Sequence, residues 1–143
     1  MRVKVSSFLF FTVLYFAVSC KTAHNKSEIE SAMQRYNYFI QKVNADSIAL
    51  LFMPEGNLGT VAHGQEAIRK FLLQYKDINV VSQVSTTNSI IIAGDSAVQK
   101  GAYKQTDILP AHTDTLKVSG TFTAKWQWDK QHKWRIQSME TKN

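Results

Sequence analysis

The chain has 143 residues, 44% of them hydrophobic and 20% charged, a composition that excludes a disordered or fibrous chain and fits one globular domain. Its formal net charge is +6, yet the lysines and arginines are scattered with no run of three, so no nucleic-acid footprint is expected. One cysteine excludes a disulfide scaffold, and the fold must live on its core.

Met1-Arg2-Val3-Lys4 is a basic start, and residues 8–18 are apolar apart from Thr12. Eleven residues are too few to cross a hydrocarbon core, which takes about 20 in a helix. A basic start, a short apolar run and then small residues describe an export signal. The run ends in Ala17-Val18-Ser19-Cys20, which resembles the lipobox of bacterial lipoproteins, although that pattern has Leu where Ala17 stands. The resemblance implies lipidation of Cys20 and a permanent membrane anchor; a plain secretory signal with an incidental cysteine is the alternative. The expected organisation is a signal over 1–19, a tether over 20–26 and a domain over 27–143. With no acidic cluster after Cys20, the periplasmic side of the outer membrane is the expected location.

Ser27-Glu28-Ile29-Glu30 fits a capping box. Ile29, Met33, Tyr36, Ile40 and Val43 follow at spacings of four, three, four and three, which predicts an amphipathic helix ending near Val43. Asn44-Ala45-Asp46 offers a second cap, for a short helix over 47–52 that stops before Pro54. Glu55-Gly56 turns into a brief strand over 57–61, and Gly64 precedes a third helix over 65–75. Strands are expected at 79–86, 89–93, 97–106, 116–129 and 133–139, with Gly94-Asp95 a turn and 107–115 the longest loop. In the last pair, Phe122, Ala124, Trp126 and Trp128 alternate with polar residues. With Trp134, that hairpin holds too much aromatic area to leave in water, and the first helix is expected to cover it.

Helices first and strands after read as α+β. Five motifs then carry a resemblance: Asn44-Ala45-Asp46 with Ile48, Leu51 and Phe52; Pro54-Glu55-Gly56; Gly64-x-Glu66-Ala67-Ile68-x-x-Phe71; Gly94-Asp95-x-Ala97 to Gly101-x-Tyr103; and Gly120-x-Phe122-x-x-x-Trp126 leading to Trp134-Arg135-Ile136. In this order they resemble the nuclear transport factor 2-like superfamily, in its SnoaL-like and steroid-isomerase-like bacterial branch. The resemblance implies a cystatin-like cone: three N-terminal helices on a strongly bent antiparallel sheet of five to six strands, with a conical pocket. It also implies a homodimer through the outer sheet face.

Steroid-isomerase-like members place a carboxylate base, a tyrosine and a second acid in that pocket. The base position falls near Gly59 or Thr60 and the second acid near Ala124, and neither can ionise. The tyrosine matches Tyr36 by helix phase or Tyr38 by counting, and only Tyr36 faces the pocket side. His63 is a candidate by resemblance to dehydratases, against a plain role at the helix start. Asp107 reads as a turn residue, and His112 with Asp114 as loop polarity with too few ligands for a metal. The aromatic set Tyr36, Phe52, Tyr103, Phe122 and Trp126 is the candidate pocket lining or, equally, simple core filling. The expected function is a non-catalytic, lipid-anchored domain binding a small apolar molecule or a protein partner, with no cofactor. The alternatives are an enzyme of dehydratase, cyclase or isomerase type using Tyr36 with His63, and a dimerisation module with a flat apolar outer face.

Overall fold

The computed structural model describes residues 23–110, 114–131 and 133–143, so Cys20, the apolar run and His112 lie outside the described residues. Helix α1 runs Lys26–Gln41 and is capped by Asn25, whose Oδ1 accepts from the Glu28 N–H at 3.2 Å. The expected cap at Ser27 is corrected: its hydroxyl donates to Asn25 Oδ1 at 2.5 Å and Ser27 is already helical. The described residues therefore include the last part of the expected tether. His24 packs between Trp128 and Trp134, with ring centroids 4.3 and 4.8 Å away. α1 ends where Val43 turns left-handed (φ 48°), its N–H donating to Ile40 O at 2.9 Å. A β-branched residue in that region is strained. Asn44 then caps α2, Ala45–Leu50, accepting from the Ser47 N–H.

Six strands follow: β1 Phe52–Leu58, β2 Ala62–His63, β3 Asn79–Ala93, β4 Ser96–Ile108, β5 Thr115–Trp128 and β6 Trp134–Lys142. The third helix, α3 Gln65–Leu73, lies between β2 and β3, so only α1 and α2 precede the sheet. The strands form one sheet in the order β2-β1-β6-β5-β4-β3 among the described residues. The expectation of an all-antiparallel sheet is corrected, because β1 pairs with β6 in parallel. Phe52 opens β1 and does not close a helix. Pro54 is tolerated because the ladder is irregular between Phe52 and Asn57, where no regular N–H donor is required. Gln65 Nε2 satisfies the Phe52 carbonyl in that gap at 2.8 Å.

β3 is one strand and not two. Its pairing with β4 shifts register between Thr87 and Ser89, a bulge at the polar Asn88 that the sequence presents as a break. A further shift lies at Lys125/Trp126 between β5 and β6. Each such bulge adds a local bend and twist, which curls the sheet. α1 packs in the curl against β3 and β6. Its Ile29, Ala32 and Met33 join Phe52, Phe122, Trp126, Trp134, Ile136 and Met139 in one core, so the first helix does cover the tryptophan hairpin. Trp126 keeps its indole N–H satisfied by donating to Gln99 Oε1 at 3.1 Å, and Gln99 in turn donates to Thr87 Oγ1 at 2.9 Å.

Side chains alternate across the sheet. On β4 the inward set is Ala97, Gln99, Gly101, Tyr103, Gln105 and Asp107. The outward residues include Lys100 and Lys104 on β4, Lys117 and Lys125 on β5, and Glu140 and Lys142 on β6, all exposed.

Candidate functional site: a divided cone with one carboxylate

The space between α1 and the sheet is divided into two adjoining lobes that share Ile40 and Gln105. The inner lobe, about 210 Å³, is walled by Met33, Tyr36, Leu58, Gln83, Ser85, Tyr103, Phe122 and Met139. The outer lobe, about 300 Å³, is walled by Val43, Ile48, Leu72, Tyr75, Ile78, Val80, Leu109 and Leu116, with Asp107 set among them. That volume is at the small end for ligand pockets, and the lining is aliphatic, as such pockets require.

Asp107, expected in a turn, instead puts an ionisable acid in the cavity wall on β4. It is 5% exposed, faces Val80 across the ladder and lies two residues past Gln105 on the same face of β4. Both its carboxylate oxygens accept from a single donor, Gln105 Nε2, at 2.9 Å each. A carboxylate offers about four acceptor positions, and burying one is costly unless they are used. No second donor reaches it among the described residues. The period of two from Gln99 through Gly101, Tyr103 and Gln105 carries the signal for Asp107. The Asp-to-Pro110 stretch looks like a loop, and β4 runs on to Ile108 instead.

The inner lobe adds a second free acceptor. Gln83 Oε1 is buried without a hydrogen bond, while its Nε2 and the Ser85 hydroxyl both donate to Asn37 Oδ1, at 3.4 and 2.9 Å. The Tyr36 hydroxyl makes no hydrogen bond among the described residues. Burial, and secondarily the neighbouring Tyr103, pushes its pKa up to about 12. Tyr36 therefore keeps its proton at any ordinary pH and can donate a hydrogen bond. Tyr103 donates to Asn143 Oδ1 at the C-terminus.

Of the residues expected in the lining, Tyr36, Tyr103 and Phe122 line the inner lobe. Phe52 and Trp126 are sealed in the core, 0% and 1% exposed, and reach neither lobe. His63 stands on the exposed β2 edge, with Nδ1 2.7 Å from Asn57 Oδ1 and Nε2 3.1 Å from Glu55 Oε2. Its side chain is 65% exposed and lines neither lobe, so Tyr36 and His63 share no cavity. No cluster of three His, Cys, Asp or Glu suited to a metal occurs among the described residues.

A helix-roofed, bulged six-strand sheet around a divided cone can be compared with solved structures. A ketosteroid isomerase-like protein from Erwinia carotovora superposes with a TM-score of 0.70 at 13% identity, over 80% of this chain and 92% of its own. A nuclear transport factor 2-like superfamily protein from Salmonella enterica gives 0.68 at 17% identity, over 82% and 89%. The fold is nuclear transport factor 2-like. A protein of this fold from Catenulispora acidiphila, determined in complex with S-DNPA, gives 0.70 at 13% identity over 80% and 90%. No family model and no curated protein matches the chain. In this chain the cone carries an aliphatic outer lobe with Asp107 in its wall.

Proposed function

We propose that the chain is a membrane-anchored binding domain that holds a small amphipathic molecule in the cone. The apolar body lies in the outer lobe and a hydrogen-bond-donating head, an amine or hydroxyl, meets Asp107. The observation that carries this reading is the buried Asp107 carboxylate, served among the described residues by one amide donor inside an aliphatic wall. The unpartnered Gln83 Oε1 supports it from the inner lobe. Anchoring rests on the basic start, the apolar run of 8–18 and Cys20. The chemistry discriminates by head group. In calorimetry, octylamine and octanol bind and octanoate does not, and Asp107→Asn erases the preference for the amine. Equal binding of octanoate to the unaltered chain would overturn the reading.

A second reading is favoured by the same carboxylate. Asp107 can serve as the proton acceptor of an isomerase- or cyclase-type reaction, with Tyr36 donating a hydrogen bond to the developing oxyanion. It requires turnover of an enolisable ketone that Asp107→Asn abolishes and Tyr36→Phe slows. Binding without turnover in the unaltered chain removes it.

A further inference from the structure

Lysines that look scattered in the sequence are gathered by strand register. On the outward face of β4, β5 and β6, the exposed Lys100, Lys104, Lys117, Lys125 and Lys142 stand with Ser119, Thr121 and Thr123 and, on β4, with Val98 and Ala102. Among the described residues of these three strands, the one acid on that face is Glu140, which lies opposite Thr123. None of the five makes an ion pair among the described residues; the lysine that does, Lys70, is on α3. The neighbouring strand β3 adds exposed Val84 and Ile91, 56% and 69% exposed, at the margin of the lysines. A second copy of this chain docking by the same face would set lysine rows against lysine rows. The charge of the face suits an anionic partner.

The path of the chain says which one. His24 is fixed between Trp128 and Trp134, with Nε2 3.6 Å from Asp95 Oδ1. The N-terminal segment thus leaves the domain at the sheet end formed by the β3–β4 and β5–β6 turns. From there back to Cys20 is four residues, at most about 14 Å when fully extended. An anchor on Cys20 would hold that sheet end within about a Debye length or two of the lipid head groups. Such a short leash leaves the domain little choice but to rest against the bilayer. We infer that it does so on the lysine face, which docks on an anionic lipid surface; this rests on the anchored reading above. Juxtamembrane lysines attract anionic lipid with a strength that corresponds to about fivefold in partition for each residue at low salt.

The test uses the full chain, recovered from membranes and reconstituted in vesicles. One set holds phosphatidylcholine alone, the other phosphatidylcholine with phosphatidylglycerol. Acylation rates of individual lysines are read by mass spectrometry. The five face lysines should react about fivefold more slowly, or less, on the phosphatidylglycerol vesicles. Lys70 should keep its rate, and raised salt should abolish the difference. Glu140→Lys should deepen the protection, and the double variant Lys104→Gln/Lys125→Gln should weaken it at Lys100 and Lys117. Both changes sit on exposed positions, so folding is checked by circular dichroism. Equal rates in the two vesicle types would overturn the docking. So would protection already present without vesicles, which marks a second copy, or protection by soluble polyphosphate and not by vesicles. Failure of the chain to remain on phosphatidylcholine vesicles overturns the anchor alone, because the lipid comparison reads the lysines separately.

Discussion

The indole N–H of Trp134 donates to Glu28 Oε2 at 2.9 Å, joining the first turn of α1 to the start of β6 across 106 residues of sequence. His24 Nδ1 donates to the same oxygen at 3.0 Å. Glu28 thus fastens helix, hairpin and incoming N-terminal segment at one point, where its charge also suits the helix N-terminus. The Trp134 bond first, then His24, hold its carboxyl below the ordinary value of 4.5, against burial, which raises it. A carboxyl depressed in the folded state adds stability that is present above the unfolded value and lost as pH falls through the folded one. Glu28→Gln should therefore cost about 1–2 kcal/mol at neutral pH in urea unfolding. The gap to the unaltered chain should close at acid pH, below about 4.5. A gap of the same size at both pH values would mean that the charge contributes nothing.

Tyr36 behaves in the opposite sense. Its pKa rises from 10.0 to about 12, chiefly through burial. A group that binds its proton more tightly when folded stabilises the fold below its unfolded pKa, and that contribution is lost as pH climbs from 10.0 towards 12. Ultraviolet titration should show one tyrosine ionising after the others. Tyr36→Phe should remove that late step and move the midpoint of alkaline unfolding upward. If all the tyrosines ionise together, Tyr36 is not held in a dry wall.

Gly101 marks where the curl of the sheet leaves no room. A Cβ added there would lie 2.2 Å from Thr86 O and 2.7 Å from the Phe122 ring, one a strand backbone and the other a core residue. Gly101→Ala should cost about 3 kcal/mol or more, read as a lowered melting temperature or a failure to fold. A near-neutral variant would show that β3 can move away, and the inner lobe with it.

The Trp126–Gln99 bond invites a paired test. Gln99 is 0% exposed, and Trp126→Phe leaves its Oε1 without the indole donor. The single change should cost about 2–3 kcal/mol, more than the lost ring area alone, because a buried acceptor goes unmet. Adding Gln99→Met should recover part of it, and a double-mutant cycle measures how much. Strict additivity would mean that the bond contributes nothing beyond packing.

Much of this architecture is legible in the residues. The stripe from Ile29 to Ile40 and the alternation of Phe122, Ala124 and Trp126 state which faces meet, because both periods are uninterrupted. Local signals mislead where they compete with strand pairing. Pro54 looks like a stop, but it sits in a gap of the β1–β6 ladder that only the partner strand defines. Asn88 looks like a break and is a bulge. Phe52 and Trp126 have the chemistry of a pocket lining, but which buried aromatics border empty space depends on the depth of the curl. Asp107 was within reach of the alternation on β4, but an aspartate ahead of a proline carries the stronger local signal of a turn.

Val43 closes α1 in a conformation that suits glycine or asparagine far better, and its side chain stands in the wall of the outer lobe. The two facts oppose each other. Val43→Asn or Val43→Gly would relax the backbone and open the hydrocarbon wall to a polar or missing side chain. An effort to harden this protein against heat would find that position early, and at the expense of whatever the lobe is shaped to receive.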